Sequence, residues 1–138
     1  MELPSFTSRL LAATNAHDVD AIVACFADNY VNETPCHPAR GFTGPAQVRR
    51  NWTTILEAVP DLRAEVLGVA GGPGVEWSEW EMRGTRRDGT AHLVRGVLVF
   101  AVDGGLATGC RFFLEPVDAG PDSADAAVAR YVGQEVRG

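Results

Sequence analysis

From Leu62 to Pro116 the chain reads LRAEVLGVAGGPGVEWSEWEMRGTRRDGTAHLVRGVLVFAVDGGLATGCRFFLEP, and the punctuation of this stretch decides the fold. Three turn signals, Gly71-Gly72-Pro73-Gly74, Asp88-Gly89 and Asp103-Gly104-Gly105, divide it into segments 62–70, 75–85, 91–102 and 106–116. Turns this short join only antiparallel neighbours, so the segments form a four-stranded meander, and strands of such length curl under the right-handed twist of sheets. In the last strand Arg111, Phe113 and Glu115 share one face while Phe112 and Leu114 share the other. Both faces carry aromatics, which places the strand between two layers and its charges partly out of water. Val75–Arg83 has the same signature, with Trp77, Glu79, Glu81 and Arg83 alternating with Glu76, Ser78, Trp80 and Met82. Two strands thus bring carboxylates and arginines into aromatic surroundings, which points to a pocket.

Upstream the period is helical. Phe6, Leu10, Leu11 and Thr14 mark a helix over 4–16, and Asp18 caps a second whose apolar positions are Val19, Ile22, Val23 and Phe26. Residues 30–34 read as a brief strand, followed by a loop with Pro35, Cys36, His37, Pro38 and Arg40. Gly44-Pro45 opens the longest helix, with Val48, Trp52, Ile55, Leu56 and Val59 as its stripe and Pro60 as its stop. Beyond the meander, Asp122 or Ser123 caps a C-terminal helix bearing Ala124, Val128, Tyr131 and Val132, ended by Gly133. The expected fold class is α+β: four long strands and one short strand curled around the 45–59 helix, with N-terminal helices closing one end of a cone. The open end is a natural place for a small-molecule site.

A chain of 138 residues fits one domain. We assign residues 1–117 to the cone and 118–138 to an extension whose helix packs on the same domain. A net charge of −6 argues against nucleic-acid binding. With no apolar run of membrane-spanning length and no basic n-region at Met-Glu-Leu-Pro, a cytoplasmic location is expected. Cys25, Cys36 and Cys110 are odd in number and lack a C-x-x-C, so they read as free thiols.

Several motifs carry a resemblance: G-x-x-G-P-A-Q-V-R-x-N-W at 41–52, V-P-D-L at 59–62, R-G-T-R-R-D-G-T at 83–90 and R-F-F-L-E at 111–115. Together with the element order they resemble the nuclear transport factor 2-like superfamily and, within it, the SnoaL-like group named for a polyketide cyclase. The resemblance covers roughly residues 4–117. It implies a cone-shaped fold that hosts cyclases, isomerases, epoxide hydrolases, dehydratases and non-catalytic binders. It also implies an acid/base carboxylate on the last strand, for which Glu115 stands at the matching position.

Glu115 and Glu79 are the leading catalytic candidates, because a carboxyl in an apolar pocket has its pKa raised toward neutrality and can exchange protons with substrate. Arg111 and Arg95 would pull the other way and could stabilise an oxyanion; equally, Glu79–Arg95 and Glu115–Arg111 could be structural pairs. Glu81 and Arg83 are expected at a solvated rim. His37, in a loop near the cavity mouth, is a further acid/base candidate. Trp52, Trp77, Phe113 and Tyr30 are candidates for lining a flat hydrophobic ligand. The three histidines do not fall at metal-ligand spacing, and neither a metal nor a cofactor is implied.

The reading favoured by these residues is a small cofactor-independent enzyme that moves protons on a flat, mostly apolar metabolite. The rival is a non-catalytic module that binds a small hydrophobic ligand, and a third reading is a dimerisation domain. A homodimer is expected through the convex sheet face, taken to present Trp80, Leu98, Phe112 and Leu114.

Overall fold

A computed structural model describes residues 1–135. The extension was read to residue 138, so its last three positions lie outside the described residues. Helix α1 (Ser5–Asn15) buries Phe6, Thr7, Leu10, Ala13 and Thr14, the residues that fall on one face at helical spacing. Asp18 caps α2 (Val19–Val23), its side chain accepting from the Ala21 amide at 3.0 Å. Phe26, expected on that helix, instead opens strand β1 (Phe26–Glu33), so this strand is longer than the brief one anticipated. After a 3₁₀ turn (Pro38–Arg40), a two-residue strand β2 (Phe42–Thr43) leads into α3 (Pro45–Ala58). Proline at the first turn of α3 gives up an amide that has no helical partner in any case.

The period change at Leu62 produces the four long strands: β3 (Arg63–Gly72), β4 (Val75–Thr85), β5 (Ala91–Asp103) and β6 (Leu106–Pro116). They pair antiparallel in sequence, as turns of their length require. The sheet extends further than the meander, because β1 pairs parallel to β6 and β2 pairs antiparallel to β1. Its order is β2-β1-β6-β5-β4-β3, six strands in a curled, unclosed sheet. A bulge between Val66 and Gly68 interrupts β3, the edge strand. Near its start that edge is closed by α1: the Asn15 side chain donates to the Ala64 carbonyl at 3.0 Å and accepts from the Ala64 amide at 2.7 Å.

The concave face of the sheet and the three N-terminal helices enclose the core, whose largest buried side chain is Trp80. Its indole N–H donates to the Ser78 hydroxyl at 2.7 Å, so the ring is buried without an orphaned donor. Helix α4 (Ala124–Tyr131) follows β6, capped by Ser123, one of the two caps the sequence offers. No residue of α4 is buried, and Tyr131 is 85% exposed.

Candidate functional site

Strand parity decides which side chains face the concavity. On β6 the inward residues are Cys110, Phe112 and Leu114; on β5 they are His92, Val94, Leu98 and Phe100; on β4 they are Trp80 and Met82. The expected orientation is thereby inverted: Phe112 and Leu114 line the cavity, and Arg111, Phe113 and Glu115 belong to the opposite face. Aromatics on both faces hide this from a parity argument. The charge distribution resolves it, since the inward face of these strands is almost wholly apolar and the other carries the arginines and glutamates.

The cavity has a volume of about 310 Å³, within the range of small-molecule sites. Its inner end is closed by Leu10 and Thr14 of α1 with Phe100. Its mouth is formed by the partly exposed lining residues: Arg40 on the 3₁₀ turn, Asn51, Trp52 and Ile55 on α3, His92 and Val94 on β5. Backbone bonds brace the turn, with the His37 amide donating to the Thr34 carbonyl at 2.8 Å and the Arg40 amide to the His37 carbonyl at 2.9 Å.

Between the two ends runs a buried polar string set by the alternation of β1. The Tyr30 hydroxyl donates to Asn32 Oδ1 at 2.9 Å, and Asn32 Nδ2 donates to Thr34 Oγ1 at 3.3 Å. Burial, with Cys110 beside it, pushes the Tyr30 phenol far up, and burial pushes the Cys110 thiol up to about 12. Both groups therefore stay protonated near neutral pH. Burial, reinforced by the Arg86 charge, lowers the pKa of His92 and favours its neutral imidazole. Among the described residues, no carboxylate lines the cavity.

Of the candidate site residues, the structure brings Tyr30 and Trp52 to the cavity wall. Glu115 lies beside the mouth rather than in it: its carboxylate is 3.3 Å from His37 Nε2 and 3.6 Å from Arg40 Nη1. Glu79, Arg95 and Arg111 are exposed on the outer face, together with Trp77, 45% exposed, and half-buried Phe113. The expected ion pairs are re-partnered. Arg95 Nε binds Glu81 Oε2 at 2.6 Å instead of Glu79, and Glu115 meets His37 and Arg40 instead of Arg111. Glu81, expected at a solvated rim, is 5% exposed and also bonded by Arg83. These two guanidinium groups, Arg83 foremost, hold its carboxyl below the usual carboxylate range.

Sequence reasoning passed over Asn32, Arg40, Asn51 and Cys110 as lining residues. The alternation Tyr30, Asn32, Thr34 was a usable signal, because it sets three polar groups on one face of a strand. Arg40 gave no such signal, since the direction of a loop side chain depends on the turn that carries it. Among the described residues, no group of three His, Cys, Asp or Glu is arranged to hold a metal ion, and no helix is long and apolar enough to cross a membrane.

The SnoaL-like domain family matches residues 7–109, most of the chain. The protein belongs to that family. Among solved structures, a Catenulispora acidiphila protein with a ketosteroid isomerase-like fold, crystallised with trimethylamine, is 12% identical with a TM-score of 0.71. The match covers 98% of this chain and 97% of that one. A Mycobacterium tuberculosis protein in complex with estradiol-17beta-hemisuccinate is 22% identical with a TM-score of 0.65, over 77% of this chain and 88% of that one. An LEH-like epoxide hydrolase from the same organism is 16% identical with a TM-score of 0.67, over 80% of each chain. At these identities the SnoaL-like chain shares their fold, and activity does not transfer with it. No curated protein matches it significantly.

Proposed function

We propose that this SnoaL-like chain binds a small, flat, mostly apolar molecule in the cavity. The observation that carries this reading is the lining itself: aromatic and aliphatic walls, few polar groups, most of them on β1 and at the mouth, and, among the described residues, no carboxylate placed to exchange protons inside. The small ligands held by the Catenulispora acidiphila and Mycobacterium tuberculosis proteins support it at the level of fold. A thermal-shift screen of flat hydrophobic compounds tests it. A ligand at roughly a hundredfold excess over its Kd stabilises the folded state by about 2.7 kcal/mol, so hits should raise Tm by several degrees. Val94→Trp, which fills the mouth from a partly exposed position, should abolish the gain. An absence of hits, or equal gains in the variant, would count against the cavity.

One observation favours catalysis as a second reading. Glu115 touches Arg40, a lining residue, and His37, so a carboxylate and an imidazole stand at the rim within reach of a ligand's outer end. In that reading Glu115 and His37 form the acid/base pair and Arg40 steadies developing negative charge. Glu115→Gln should then cost about two to four orders of magnitude in turnover on epoxide, enone or polyketide-like substrates with unchanged melting. Turnover within a few-fold of wild type would remove Glu115 from the chemistry.

We also propose a homodimer through the outer sheet face, now with Trp77, Val97 and Phe113 at its centre. Trp80, Leu98, Phe112 and Leu114, first assigned to that role, are turned toward the cavity or core.

A further inference from the structure

We propose that the ligand carries a carboxylate, held at the cavity mouth by Arg40 with Asn51 and His92 as further donors. The inference rests on the cavity being a binding site and specifies what it selects. The polar groups of the lining fall into two sets with different consequences. The inner string is bonded to itself, Tyr30 to Asn32 and Asn32 to Thr34, and is made of neutral groups among apolar walls, so a charged group entered deep would give up water without meeting an opposite charge. The apolar body therefore goes in first.

The mouth is the reverse: it is rich in donors and poor in acceptors. The Asn51 carbonyl oxygen is already occupied by Gln47 Nε2 at 2.7 Å, which turns the amide so that its N–H groups remain for a ligand. Arg40 is held by Glu115 only at 3.6 Å, longer than a hydrogen bond, and through one terminal nitrogen. The rest of its planar fork is uncommitted among the described residues, and that fork matches a carboxylate in a bidentate pair. His92, kept neutral by burial and Arg86, supplies an N–H without adding charge. A doubly charged phosphate suits the site less well, because among the described residues Arg40 is the one cationic lining residue and Glu115 stands beside it. Glu115 thus acts as a stand-in anion that the ligand's carboxylate displaces.

Calorimetric titration of the full chain with 2-naphthoate and with its methyl ester separates this inference from the reading beneath it. The acid should bind wild type at least about tenfold more tightly than the ester, the worth of a charge-assisted bidentate pair. Arg40→Gln, at an exposed side chain, should lose that preference for the acid and leave ester affinity within about twofold. Glu115→Gln, which removes the competing anion, should tighten the acid and leave the ester unchanged. Equal binding of acid and ester by wild type, or an Arg40→Gln protein that retains the preference, overturns the carboxylate while leaving the cavity standing. Weaker acid binding by Glu115→Gln overturns the displacement. If neither compound binds, both the inference and the cavity reading fail.

Discussion

Glu81 is held in an almost dry position on the outer face by two guanidinium groups, which is why its charge is coupled to stability. Its folded pKa is depressed by Arg83 and Arg95, whereas the unfolded chain returns it to about 4.3. A depressed carboxylate contributes stability that is present above the unfolded value and lost as pH falls through the folded one. Glu81→Gln should therefore lower Tm at pH 7, and the difference from wild type should shrink as the pH drops below the usual glutamate range. Melting curves between pH 3 and 7 decide it, and a gap independent of pH would show that the carboxylate's charge is not what matters. The alternation of Trp77, Glu79 and Glu81 was plain in the sequence; which glutamate would be buried was not. That depends on the cross-strand register, which sets Glu81 opposite Arg95 and Glu79 opposite Val97. Trp52 was legible as a lining residue because it lies on a helix whose apolar stripe the sequence shows. The loop residues at the mouth were hidden for want of any such period.

The long strands and α3 could be read from turn chemistry and helical spacing, while β1 could not be read to its full length. Its sequence, Phe26-Ala-Asp-Asn-Tyr-Val-Asn-Glu33, is too polar to announce a strand, and its register against β6 shifts between Phe26 and Val31. Long-range pairing overrides local propensity here. On β5, Gly96 has a φ of 156°, and a Cβ placed there would lie 1.9 Å from the Phe113 carbonyl oxygen and 2.8 Å from Leu114 Cα. The close approach of β5 to β6 at this point requires a residue without a side chain. Gly96→Ala should destabilise the protein by at least about 2 kcal/mol. Urea unfolding measures it, and a loss below about 0.5 kcal/mol would mean that the two strands part easily there.

As a whole, the molecule presents an outer sheet surface on which Trp77, Val97 and Phe113 are bordered by Arg95, Arg111 and Glu79. Charges of both signs around an apolar centre suit a two-fold pairing, in which each copy sets its arginines against the other's glutamates. Sedimentation at micromolar concentration should give a dimer, and Trp77→Arg should give a folded monomer; a monomeric wild type would dismiss the pairing. The opposite problem is posed by β3, whose outer edge, among the described residues, has backbone groups without a strand partner. Such an edge invites any extended chain to add itself, and the end point of repeated addition is a fibril. Two features of this molecule forestall it. The bulge between Val66 and Gly68 spoils the spacing of the backbone groups, and the Asn15 carboxamide, bonded to both the amide and the carbonyl of Ala64, acts as a one-residue false strand. Asn15→Ala should shorten the lag before thioflavin-positive aggregation during prolonged incubation. Solubility in the cell would thereby depend on a side chain that belongs to a helix and guards a sheet.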